Sequence, residues 1–204
     1  MSLRDVECLM AQRGIEISYE SIRRWVNKFG LQYAGRIRKN RRDVSSVWHL
    51  DEVFIRTGRE CYYLWRAVDD EGEVLDVLVQ KRRNKKAALK LMRRLLKNHD
   101  THPVYIVTDR LKSYSAALKE LNMDRLHVMG GRSNNRAENS HIPIRRRERK
   151  MQRFKSQKSA QQFLSIYGPI YNLFNYRRHL ISRSTLKEFR QKAFDEWNAI
   201  TSAG

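Results

Sequence analysis

The chain has 204 residues, and its 42 basic and 22 acidic side chains leave a formal net charge of +20 with a pI near 10.4. An apolar fraction of 41% and an aromatic fraction of 10% belong to a folded chain and exclude disorder. The charge selects polyanionic partners, nucleic acid foremost, while no apolar run reaches the length of a membrane span and no signal-peptide core follows Met1, so no membrane partner is expected. Cys8 and Cys61 lie far apart with no ligand cluster around them, so free thiols in a reducing cytosol are expected, and zinc is not.

Ser2 caps a helix over residues 3–12, with Asp5 at its third position and Gly14 as its stop. Ser18 caps a second helix over 19–29, which Gly30 ends. Val6, Leu9 and Met10 are expected to face Ile22, Trp25, Val26 and Phe29. Residues 1–31 thus have the pattern of a small, partial helix-turn-helix, offering Arg23, Arg24 and Asn27 to a DNA groove. An ordinary helical hairpin fits the same pattern. Residues 32–46 carry Arg36, Arg38, Lys39, Arg41 and Arg42 with little apolar content and read as a basic linker.

Residues 47–158 read as the core domain. Strands over 47–56, 61–68 and 74–81 are separated by turn chemistry at 57–60 and 69–72, short enough for an antiparallel meander. A helix over 84–98, a buried strand over 104–108, a helix over 110–121 and a short strand over 126–129 follow. This order predicts an α/β fold, a mixed five-stranded sheet flanked by helices, with the first parallel strand beside the first meander strand. Residues 159–204 read as a helical extension packing on the core, with Phe163, Tyr167, Ile170 and Phe174 on one helix and Leu186, Phe189, Ala193 and Trp197 on the last.

Three carboxylates carry the chemistry. Asp109 ends the buried strand, where open α/β sheets bind ligands, although it could equally cap the helix that follows. Asp51 lies in the first strand on the face of His49, Val53 and Ile55, and Glu52 points the other way, so the two are not expected to serve one site. Glu138 stands one turn into a helix beginning at 133–135, 29 residues beyond Asp109. Each pair of ionised carboxylates at ~4 Å repels by roughly 4 kcal/mol at an effective dielectric near 20. Such a cluster makes sense around cations, and an all-oxygen site suits Mg2+ or Mn2+. Two ions ~4 Å apart would serve phosphoryl transfer on a phosphodiester. Residues 145–158 add eight basic side chains against Glu148, among them Arg145, Arg146, Arg147, Arg149 and Lys150, and read as a phosphate track. His127 and His141 read as surface residues.

The blocks Trp48-His49-Leu50-Asp51-Glu52-Val53, Tyr63-Leu64-Trp65-Arg66-Ala67-Val68-Asp69, Thr108-Asp109-Arg110 with Ser113-Tyr114, and Asn134-Asn135-Arg136-Ala137-Glu138-Asn139 resemble, in order, those of bacterial insertion-sequence transposases. These are the DDE type with an integrase-like core, and the group is the IS-six family. The resemblance spans about residues 3–180. It implies an RNase H-like fold in which Asp51, Asp109 and Glu138 match the acidic triad. It also implies divalent metal, and 3′-end cleavage and strand transfer joining insertion-sequence terminal repeats to target DNA. Arg145 matches a basic position seven residues after the Glu. Pro143, between them, is expected to kink the helix. Family members carry a further apolar helix ahead of the position of Ser2, so a shortened, inactive DNA-binding copy and a structure-selective nuclease are the alternative functions. A homo-oligomer on DNA and a cytoplasmic, nucleoid-associated location are the remaining expectations.

Overall fold

The computed structural model describes residues 1–40, 44–58, 60–130, 134–176 and 181–202. The chain divides into two compact units, one of residues 1–40 with 176–204 and the other of residues 41–175.

The first unit holds three helices, α1 (Leu3–Ala11), α2 (Tyr19–Lys39) and α7 (Arg183–Ser202). Ser2 and Asp5 form a capping box at the start of α1, and the Ser18 side chain accepts from the Ser21 N–H at the start of α2. Contrary to expectation, α2 does not stop at Gly30. It continues through most of the stretch taken for a linker, and residues 41–43 lie outside the described residues. A mid-helix glycine costs only about 1 kcal/mol. Against this, the later turns bury Ala34 and Ile37, bring the Tyr33 ring 6.1 Å from that of Trp197, and let the Arg36 Nη1 donate to the Ile200 carbonyl at 2.8 Å. The buried residues of α2, Gly30, Ala34 and Ile37, therefore lie in its second half. Trp25 and Val26, expected to face α1, are exposed.

The second unit contains β1 (Val47–Thr57), β2 (Glu60–Asp69), β3 (Val74–Gln80), α3 (Lys85–Asn98), β4 (Tyr105–Thr108), α4 (Lys112–Glu120), β5 (His127–Met129), α5 (Asn135–Lys150) and α6 (Gln157–Phe174). The strands form one sheet of order β3-β2-β1-β4-β5, antiparallel through the meander and parallel from β1 to β4 to β5. This is the mixed five-stranded sheet flanked by helices that the sequence predicts, with the first parallel strand beside β1. Period-two alternation holds along β1. Trp48 and Leu50 join Trp65, Leu91, Leu95 and Tyr114 under α3 and α4, while Val53 and Ile55 meet Leu64, Val77, Ile144 and Leu164 under α5 and α6.

The C-terminal third does not act as one extension on the core, as expected, but is shared between the units. Helix α6 packs on β3, whereas α7 groups with α2. The reason lies in amide side chains that pair with an otherwise open sheet edge. Asn172 accepts from the Val74 N–H and donates to the Val74 carbonyl, at 2.9 and 3.0 Å, and Gln161 does the same with Val79 N–H and Val77 carbonyl, at 2.8 and 3.0 Å. The close approach needs a small residue, since a Cβ on Gly168 would sit 3.3 Å from the Val74 Cγ1. Among the described residues, no helix is long and apolar enough to cross a membrane.

Candidate metal centre

β1 and β4 run parallel, with Leu50 opposite Thr108 as the last pair. The next residue on each is an aspartate. Ligand oxygens of Asp51, Glu52 and Asp109 all lie within 4.8 Å of one another, and the set offers only oxygen donors, as hard divalent cations require. The expectation that Asp51 and Glu52 could not share a site is thus corrected. Their side chains do leave opposite faces of β1. Because β4 ends at Thr108, the β1 edge beyond Leu50 is uncovered, and both carboxylates reach around it to Asp109.

Each carboxylate is held differently. The Asp109 Oδ1 accepts from the Leu111 N–H at 3.0 Å, so this residue steadies the turn into α4 while also facing the cluster. Asp51 is gripped by His141, whose Nε2 lies 3.1 Å from the Asp51 Oδ2. His141 was expected on the surface, yet only 6% of it is exposed. Burial lowers its pKa, against the opposing pull of Asp51, so the ring is neutral at pH 7 and donates from Nε2. Its Nδ1 has no hydrogen-bond partner among the described residues. Glu52 is the most enclosed of the three, with its side chain 1% exposed. The Arg83 Nε donates to it at 2.6 Å, and the same guanidinium lies 3.7 Å from the Asp109 Oδ2. Burial and then the Asp109 charge push the Glu52 pKa up to about 7, while Arg83 pulls it back. The buried Tyr114 hydroxyl lies near Glu52, and burial followed by the nearby carboxylate charges raises its pKa.

Arg66 sits opposite Asp51 in the β1–β2 register and is 1% exposed. Burial lowers its pKa to about 10, so it stays charged at neutral pH. Helix α5 is seated on β1 by Asn134, whose Nδ2 donates to the Leu50 carbonyl at 2.9 Å.

Glu138 lies on the exposed side of the first turn of α5, outside the group of three carboxylates. It shares a helical stripe with Asn134 and His141, the residues that touch β1. The helix includes Pro143 and continues to Lys150, and Arg145 is part-buried with its Nη1 2.9 Å from the Glu148 Oε2. Arg146, Arg149 and Lys150 are exposed, and Arg147 lies 5.8 Å over the Tyr167 ring. Arg23, Arg24 and Asn27 belong to the other unit and are exposed on α2, the two arginines pairing with Glu20. Sequence reasoning set Glu52 and His141 aside and did not consider Arg83 or Asn134 as site residues. Only His141, one turn after Glu138, carried a signal. Arg83 is 31 residues from Glu52, and nothing local marks it.

Residues 45–177 match the family model of a DDE domain. Two relatives from Staphylococcus aureus are the transposase for insertion sequence-like element IS431mec (strain Mu50 / ATCC 700699) and the transposase for insertion sequence element IS257 in transposon Tn4003. Each is 27% identical over 183 residues, which cover 87% of this chain and 80% of the relative. The catalytic core domain of BIV integrase is 15% identical and superposes with a TM-score of 0.47, covering 74% of this chain and 97% of that one.

Proposed function

This chain belongs to the IS-six family of DDE transposases, and from that premise we propose that Asp51, Asp109 and Glu138 hold the catalytic metal of a DNA strand-transfer reaction. The protein is a DNA transposase, a polynucleotidyl transferase. The observation that carries the residue assignment is the convergence of Asp51 and Asp109 at the end of the β1–β4 pairing.

Bound there, two Mg2+ or Mn2+ ions would polarise the scissile phosphate and stabilise the attacking and leaving oxygens. The chain's own residues supply position. His141 holds the Asp51 Oδ2 and so fixes the orientation of that carboxylate. Side chains of Asp51 and Asp109 are 17% and 34% exposed, open enough to exchange water for a phosphate oxygen. Glu52, enclosed and paired with Arg83, is less suited to that exchange, so Glu138 on α5 is assigned as the third ligand. The grouping of Glu52 with the two aspartates favours the other choice of third ligand.

The basic run Arg145, Arg146, Arg147, Arg149 and Lys150 would hold the terminal repeat of the element, and Arg23, Arg24 and Asn27, on a helix-turn-helix-like pair, would add contacts to it. Two DNA ends must be joined to a target, so a homo-oligomer working on the bacterial nucleoid is the assembly proposed. The test is strand transfer of a terminal-repeat oligonucleotide in Mg2+. Asp109→Ala should lose it by at least about 1000-fold. Glu138→Gln should lose it while Glu52→Gln keeps a measurable rate, and the reverse order would make Glu52 the ligand. Cutting without joining by the native chain would mark a nuclease instead.

A further inference from the structure

Helix α3 carries six basic residues, Lys85, Lys86, Lys90, Arg93, Arg94 and Lys97, and no acidic one. Three of them are tied down. Lys85 and Arg93 pair with Glu120 of α4 at 2.6 and 3.2 Å, and Arg94 pairs with Asp76 at 2.7 Å. Lys86, Lys90 and Lys97 are exposed. With Arg93 they fall at spacings of four, three and four, a single stripe along the outer face of the helix. Eleven residues at 1.5 Å each span about 16 Å, so neighbouring cations are roughly 5–6 Å apart along the axis.

A helix face that only meets water does not need this pattern. Like charges one turn apart cost about 0.2–0.5 kcal/mol per pair, and mixed charges would solvate the face as well without that cost. Repeated cations at this spacing complement the phosphates of a nucleic-acid strand. The stripe is made of lysine and arginine alone, cationic donors that suit the phosphate oxygens of a backbone.

Its position selects which DNA. Arg83, which bridges Glu52 and Asp109, stands two residues before α3, so Lys86 is nearest the carboxylates and Lys97 farthest from them. The run on α5 likewise leads away from the cluster, but α5 covers the other face of the sheet. Two basic tracks thus leave one acidic cluster on opposite sides. We infer that the Lys86–Lys90–Arg93–Lys97 stripe binds the backbone of the target DNA during strand transfer. This inference rests on the transposase reading, in which the α5 run holds the element end.

The test uses the full chain with Lys86, Lys90 and Lys97 all changed to Gln, exposed positions whose replacement keeps the helix. Joining of a pre-cleaved terminal-repeat oligonucleotide to plasmid DNA should fall at least tenfold at limiting target and recover at higher target concentration. The log–log salt dependence of binding to a random duplex should flatten by about 2.7, for three lost phosphate contacts at 0.9 each. Cleavage at the element end should be unchanged. Equal joining and an equal salt slope in variant and native protein overturn the inference, as does a parallel loss of cleavage. A native chain that neither cleaves nor joins would instead overturn the reading of the carboxylate site.

Discussion

The residue scale is where the metal centre is decided. His141 contacts no DNA in the assignment above; it orients Asp51. Partners that orient a ligand in this way are worth about 10–100-fold in metal affinity. His141→Ala should therefore weaken Mn2+ binding, read by isothermal titration, by that factor, and His141→Gln, which keeps an N–H donor, should recover part of it. Glu52 makes a prediction about pH. Its pKa in the folded chain, about 7, lies above the ordinary 4.5, so folding favours its protonated form. The stability present below pH 4.5 is lost as pH rises through about 7, on the order of 2 kcal/mol once solvent screening is allowed for. Urea unfolding in chelator at pH 5 and pH 8 should show this loss in the native chain and a flatter profile in Glu52→Gln. Asp51 and Asp109 were legible in the sequence because a carboxylate in or ending an apolar strand needs a partner. Glu52 was not, because alternation describes where a side chain leaves the backbone and not where its far end reaches.

At the scale of the element, the long strands, α3 and the caps at Ser2 and Ser18 follow from local chemistry, and each was readable. The extension of α2 was not. Gly30 is a stop signal in isolation, and the burial of Ala34 and Ile37 with the contacts of Tyr33 and Arg36 with α7 outweighs it. Pro143 does not end α5, which continues through it with Ile144 and His141 buried on either side. What seats α5 is the buried Asn134 amide on the Leu50 carbonyl. Asn134→Ala would leave that carbonyl without its side-chain donor and should cost about 1–3 kcal/mol in urea unfolding. It should also lower strand transfer at fixed Mg2+, because His141 and Glu138 ride on the same helix.

For the whole molecule, charge and metal dominate. A cation that binds the folded state alone raises stability by about 2.7 kcal/mol at a hundredfold excess over its Kd. Added Mn2+ should raise the melting temperature of the native chain, and Asp51→Asn or Asp109→Asn should abolish the rise while leaving the fold. A shift retained in both variants would place the metal elsewhere. The division into two units also bears on function, since the exposed Arg23, Arg24 and Asn27 sit in one and the carboxylates in the other. A chain of residues 41–175 should keep metal binding and lose affinity for the terminal repeat.

The amino-acid sequence by itself determined the order of the elements, the alternation of β1, the strongly basic character and the chemical class of the site, because these depend on neighbours within a few residues or on simple sums. Which carboxylates meet, which histidine holds one of them, and which helix takes α7 as its partner depended on groups separated by tens of residues. Those pairings are chosen by burial and by the satisfaction of polar groups across the fold, and only the tertiary structure carries that information.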